Sequence, residues 1–175
     1  LEPCAHYGNT PPCVDAIIES QISRVVIASK DPNPLVNEKS INKLKDNGVD
    51  VTTGVCESEA RELNKSFFYK FNYDKPYMRL KYGISIDGKI ANQRKESKWI
   101  TSEESRTFVQ SKRAEVNAIL TTCNTVIDDN PNMNIREKKI KDLITNQPAL
   151  IVLDTKMRVP LTSNIFKTKN RLVII

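Results

Sequence analysis

Two cysteines stand near the start of the chain, Cys4 in Glu2-Pro3-Cys4 and Cys13 after Pro11-Pro12. Thiolates held beside a helix start are the soft ligands that fix zinc, with a histidine or a further cysteine completing the protein's share. Such a metal keeps one position open for water and lowers that water's pKa toward neutrality, which makes a nucleophile. A helix N-terminus close to Cys13 would also help keep its sulfur ionised. Taken alone, two cysteines this far apart also read as buried free thiols beside a turn. His6, the one histidine of the chain, taken alone reads as a solvated loop residue.

The elements that must position these groups follow from pattern. Thr10-Pro11-Pro12 is a helix start, with Thr10 as the cap and proline in the first turn, and Val14, Ile17 and Ile18 continue it at helical spacing. The β-branched run 24–29 (RVVIAS) predicts a buried strand, and Asp31-Pro32-Asn33-Pro34 ends it as a loop. A helix over 39–47 carries Ile41 and Leu44 on one face and stops at Gly48. A strand over 49–55 and a helix over 57–71, with Ala60, Leu63, Phe67 and Phe71 on its apolar side, complete a first module. That module spans 1–73, and a short polar stretch before Pro76 marks the boundary.

The second module, 77–175, opens with a predicted strand over 77–85 and a turn at Asp87-Gly88. A helix capped at Thr101 or Ser102 follows, with Glu103 and Glu104 in its first turn, where they suit the positive end of the dipole. Strands are expected over 116–121, 149–154 and 171–175. Alternation of this kind predicts βαβ units, a mainly parallel sheet and an α/β fold class.

Hydrophobic residues make up 39% of the chain and charged residues 27%, a soluble globular composition. No apolar run is long enough to span a membrane, and the start lacks the pattern of a secretory signal, so the expectation is a cytoplasmic protein. Leu1 in first place and the strand-like RLVII in last place read as cut ends. The net charge of +6 favours anionic partners. The basic residues are dispersed, and their densest run, 136–141 (REKKIK), reads as a solvated loop without the interleaved aromatics that single-stranded nucleic acid stacks on. A basic, non-enzymatic nucleic-acid-binding module stands as the competing class. Cys56 and Cys123 lie in strand-like surroundings and are expected to be small buried hydrophobes.

Several strings together carry a resemblance. LEPCAHYGNTPPC followed by VDAII, then MRLKYGISIDGKIA, ESKWITSEESR, AILTTCNTVIDDNP and MNIR, stand in the order and spacing of the bifunctional riboflavin-pathway deaminase–reductase family, almost from end to end. The resemblance implies the C-terminal part of a cytidine-deaminase-like domain followed by the N-terminal part of a dihydrofolate-reductase-like domain. It implies zinc held by Cys4 and Cys13, and His6 near the substrate. Asn9 stands where the family usually has Lys or Arg. The family's H-x-E motif, which carries the remaining zinc ligand and the proton shuttle, is expected upstream of Leu1, and Glu2 is not its equivalent.

In the reductase half the resemblance implies NADPH contacts at Gly83, Trp99, Thr125, Asp129 and Thr155. It implies substrate contacts at Ser97, Arg113, Met133 and Arg136, where the two guanidiniums suit a sugar phosphate. Outside the pattern, Trp99 would read as core, Gly83 as a bulge, Arg113 as a solvated helix residue and Asp129 as a turn residue. The implied activities are zinc-dependent deamination of a phosphorylated diaminopyrimidine and NADPH-dependent reduction of its ribosyl group, in a homo-oligomer that binds neither nucleic acid nor membrane. A reductase-only relative is the nearest alternative.

Overall fold

The computed structural model describes residues 1–94, 97 and 99–175. The chain divides into two compact units, Leu1–Leu80 and Lys81–Ile175. Both are mixed α/β with parallel strands.

In the first unit the order is α1 (Cys13–Glu19), β1 (Arg24–Ile27), α2 (Lys39–Asp46), β2 (Asp50–Thr53), α3 (Glu57–Leu63) and α4 (Lys65–Tyr73). β1 and β2 pair in parallel, from Arg24 opposite Asp50 to Ile27 opposite Thr53. Val14 of α1, Leu44 of α2 and Val49 form the buried centre, with Ile17, Ile18, Val25 and Val51 packed around them. The apolar faces expected of α1 and α2 thus meet over the strand pair. Gly48 ends α2 at φ +77°, in the left-handed region that favours glycine, and its N–H donates to the Lys45 carbonyl.

Three local expectations need correction here. Thr10 does not cap α1; Pro12 stands at the cap position, and no side chain of its own serves there. The Cys4 sulfur accepts the Cys13 N–H at 3.1 Å instead, so a thiol nine residues back takes the cap's work. The single helix expected over 57–71 is broken at Asn64, whose side-chain amide donates to the Ala60 carbonyl and competes with the backbone ladder. The break turns Leu63 outward, where it is 86% exposed, and leaves Phe68 as the buried residue of α4. Cys56 is exposed in a left-handed conformation just before α3, not a buried strand thiol.

The second unit contains α5 (Glu103–Ala114), β3 (Ala118–Thr122), α6 (Cys123–Asp129), α7 (Lys138–Lys141), β4 (Ala149–Leu153) and β5 (Val173–Ile174), with a 3₁₀ turn at Asn164–Lys167. The strands lie side by side as β3-β4-β5, all parallel. Leu150 and Val152 are buried on one face of β4, with Cys123, Val126, Val159 and Ile165. Leu120, Leu153 and Ile174 are half exposed. Ser102 caps α5, its hydroxyl accepting the Ser105 N–H at 3.2 Å.

The strand expected over 77–85 does not form: the segment is irregular and mostly exposed. A strand exists through its pairing, and among the described residues no other strand pairs with this one. The turn at Asp87-Gly88 does form, with Gly88 at φ +78° and the Ser85 N–H donating to the Lys89 carbonyl. The basic run read as a loop is partly helical, as α7. Cys123 is buried as expected, but at the start of a helix rather than within a strand.

Candidate active site

Glu2 anchors the cysteine segment of the first unit. Its carboxylate is 4% exposed and accepts the Asp31 N–H at 3.3 Å, the Glu38 N–H at 3.1 Å and the Ser40 hydroxyl at 2.8 Å. Its own N–H donates to the Ser29 carbonyl. Glu2 is therefore committed to structure, holding the chain that leads into Cys4 against the loop before α2. The Val14 N–H donates to the Cys4 carbonyl, so the carbonyl and the sulfur of Cys4 are both held by the start of α1. A hydrogen bond with the Cys4 side chain, then charge repulsion from the same group, push the Cys13 thiol above its ordinary value. This runs against the expected help of the helix start in keeping the Cys13 sulfur ionised, because the neighbouring Cys4 outweighs it. His6 lies exposed between them in sequence.

The fit to zinc follows from this donor set. Two soft sulfurs meet at a helix start, which matches one half of a tetrahedral structural or catalytic set. Among the described residues no group of three or more His, Cys, Asp or Glu is arranged to hold a metal ion.

In the second unit the residues singled out by pattern gather in local groups. The Ser97 hydroxyl donates to the Asp129 carboxylate at 3.0 Å, which joins an expected substrate position to an expected cofactor position. Asp129 is the last residue of α6 rather than part of a free turn. The exposed Trp99 ring carries the Arg106 guanidinium over its face at 4.3 Å. Thr125 lies in the first turn of α6, its hydroxyl 3.4 Å from that of Thr122 at the end of β3. Thr155 follows β4, next to the buried Asp154. A Cβ built on Gly83 would meet the Thr101 methyl at 3.4 Å, so a side chain there is tight but not forbidden. Thr125 and Thr155 thus lie just past the C-terminal ends of adjacent parallel strands, where ligands of open α/β sheets bind.

Three guanidiniums converge toward the opposite, N-terminal strand ends, where Arg171 stands just before β5 and Gln147, just before β4, bonds Ile135. Arg113 on α5 donates to the Asn134 carbonyl at 2.9 Å and lies 3.9 Å from the Met133 sulfur. Burial first, and then the neighbouring charges of Arg136 and Arg171, hold Arg113 below its ordinary value. Among the described residues no carboxylate pairs with any of the three. A cluster of cations without a counter-charge is a ready site for an anion.

Pattern reading passed over Arg171, Gln110, Gln147 and Arg158. Gln110 carried a usable signal, since a polar residue on the inner side of α5 needs a partner. Arg171 sits in an otherwise apolar strand-like run, which is a similar signal. Gln147 and Arg158 stand in polar stretches and carried none. The Arg158 guanidinium reaches the Cys123 sulfur at 2.7 Å and the Asn124 side-chain oxygen at 2.9 Å, tying the segment after β4 to the start of α6.

The chain thus holds two α/β units, each with parallel strands of its own, one with a thiol pair at a helix start, the other with a cation cluster toward the N-terminal ends of its strands. The family described as "RibD C-terminal domain" matches residues 76–175, and the chain belongs to that family. It is 46% identical over its whole length to the riboflavin biosynthesis protein RibD of Aquifex aeolicus, of which it covers 48%. It is 46% identical over 165 residues to RibD of Bacillus amyloliquefaciens, covering 43% of that protein. Among solved structures, the diaminohydroxyphosphoribosylaminopyrimidine deaminase/5-amino-6-(5-phosphoribosylamino)uracil reductase of Thermotoga maritima superposes on 98% of the chain with a TM-score of 0.88 at 38% identity. RibD of Acinetobacter baumannii gives the same TM-score at 40% identity. The chain covers 47% and 49% of these two structures, and spans about half the length of the curated relatives it matches.

Proposed function

We propose that this chain works within a bifunctional enzyme of riboflavin biosynthesis, which deaminates a phosphorylated diaminopyrimidine and then reduces its ribosyl group with NADPH. The observation that carries the reading is the likeness to RibD along the entire chain, through both the cysteine segment and the cation cluster. The first unit would be part of a cytidine-deaminase-like domain, over 1–73, and the second part of a dihydrofolate-reductase-like domain, over 77–175. The enzyme is a cytoplasmic homo-oligomer acting on a small molecule, not on nucleic acid or a membrane.

For the first reaction Cys4 and Cys13 would hold zinc as thiolates, and the bound metal would supply an acidified water as nucleophile. The chain's own contribution is to fix the first sulfur through the Cys13 N–H and the second through its place at the start of α1. His6, exposed between them, reaches the substrate. The proton shuttle is not Glu2, whose carboxylate is already filled by three donors.

In the second reaction the hydride belongs to the cofactor, and the protein supplies position. Gly83 allows close approach, Trp99 offers a ring face, and Thr125, Asp129 and Thr155 offer hydrogen bonds to NADPH. Ser97, Met133, Arg113 and Arg136 hold the substrate, the arginines gripping its phosphate through charge-assisted forks. Elemental analysis of the full-length protein, with ammonia release and NADPH consumption measured on the pathway substrate, tests the reading. One zinc per chain and both activities are expected. A folded, metal-free protein with intact deaminase activity would sink the zinc assignment. Activity unaffected by removing NADPH would sink the reductase.

A further inference from the structure

The segment from Asn132 to Arg136 belongs to no helix or strand, yet each of its residues has a backbone group held by a side chain. Arg171 donates to the carbonyls of Asn132, at 2.9 Å, and Met133, at 3.1 Å. Arg113 donates to the Asn134 carbonyl. The Gln147 amide meets Ile135 at two points, its oxygen accepting the N–H at 2.7 Å and its nitrogen donating to the carbonyl at 2.9 Å. Gln110, 5% exposed, accepts the Arg136 N–H at 3.0 Å. Ile135 is 1% exposed, so its peptide groups need partners, and the glutamine amide stands in for a neighbouring strand.

The conformation held this way is not one the free chain prefers. Met133 sits at φ +49°, in the left-handed region that a non-glycine residue seldom occupies. Released from its clamps, the segment would relax and carry Met133 and Arg136 away from Arg113.

We propose that Gln147 and Gln110 are positioning residues that hold 132–136 as a preformed platform for the phosphorylated substrate. The proposal rests on the reading that Arg113, Met133 and Arg136 contact that substrate. Neither glutamine touches it; they act through the backbone of Ile135 and Arg136.

The test uses the full-length protein and steady-state kinetics of the reductase step. Gln147→Met removes both contacts at similar volume. If loss of the clamp lowers the competent fraction of the platform to about one tenth, the substrate KM rises about tenfold, with the NADPH KM unchanged. Gln147→Glu adds a signature that general destabilisation would not give. As a carboxylate it can accept from Ile135 N–H but repels the Ile135 carbonyl, whereas its protonated form again both donates and accepts. Position 147 is half-buried, and partial desolvation together with the facing Ile135 carbonyl favours the protonated form of a carboxyl there. The KM ratio of Gln147→Glu to wild type is therefore expected to fall as pH is lowered.

Arg136→Ala serves as the reference. If it raises the substrate KM while folded Gln147→Met does not, the clamp is refuted and the substrate reading stands. If Arg136→Ala leaves the substrate KM unchanged, the substrate reading fails and the proposal with it. Equal rises in the KM of substrate and NADPH would also overturn the proposal, because they would mark a general structural role. Should Gln147→Met fail to fold, Gln110→Met, which removes a single acceptor, gives the same split between the two KM values or refutes it.

Discussion

Replacing Glu2 should unfold the cysteine segment well before it disturbs anything else. The carboxylate accepts three hydrogen bonds, two of them from the backbone N–H groups of Asp31 and Glu38, in a site where Glu2 is 4% exposed and Ser40 is fully buried. Glu2→Ala strips the acceptor from two partly buried N–H groups, at about 1 kcal/mol each, and from the buried Ser40 hydroxyl, at about 1–3 kcal/mol. The removed side chain leaves space that the neighbours only partly fill, which adds ~1 kcal/mol or more. The total is about 4–6 kcal/mol, a large share of a typical domain's stability. Glu2→Gln keeps an acceptor for the N–H pair, and the Ser40 hydroxyl can rotate to accept from the new amide. It loses mainly the charge assistance, worth about 1–2 kcal/mol. Urea unfolding of the full-length protein, followed by a probe in the first unit, measures the ladder, and zinc content reads its consequence at Cys4. Alanine is expected to be the worse variant by at least ~2 kcal/mol. Equal and small effects for the two substitutions would show that the buried carboxylate is not holding the segment.

Two further outcomes are expected. Arg113→Lys should raise the reductase's substrate KM by about 10- to 100-fold, the worth of a lost charge-assisted hydrogen bond, since an ammonium cannot hold the Asn134 carbonyl and grip a phosphate fork together; an unchanged KM and kcat would refute the role. Burial opposes ionisation of Asp154, but the N–H groups of Val159, Arg158 and Lys156 outweigh it and hold the carboxyl below its usual range. A lowered carboxyl gives stability that is complete above the ordinary aspartate pKa and is lost as pH falls through the lowered value. Acid unfolding of wild type and Asp154→Asn should therefore converge at low pH from different stabilities near neutrality, and parallel curves would contradict the assignment.

Much of the architecture was legible because its cause is local. The β-branched runs at 24–27 and 149–153 form strands, and the Ile41/Leu44 face with its Gly48 stop forms a helix, since short-range pattern decides them. The failures have a different physics. The expected strand over 77–85 depended on a pairing that sequence periodicity does not report. The break at Asn64 came from one side chain competing for a carbonyl. The cap of α1 came from the Cys4 sulfur, across a loop. At the site, the arginine cluster was half legible. Arg113 and Arg136 came from the family pattern; Gln110 and Arg171 stood out only as polar residues in apolar settings, and Gln147, which acts through the backbone of Ile135, carried no signal at all.

The parallel strand pairs also set a timetable for synthesis. Ala118 of β3 is opposite Ala149 of β4, and Leu150 is opposite Val173, so no strand here can pair with a hairpin neighbour just behind it. At roughly 5–20 residues per second on the ribosome, β3 waits about 1.5–6 seconds for β4 to be made. During that interval Ile119 and Leu120 stand without a sheet, and the nascent chain exposes an apolar strand edge. Codon changes that slow translation between β3 and β4 should lengthen that exposure and raise the demand for chaperones, with no residue of the finished chain altered.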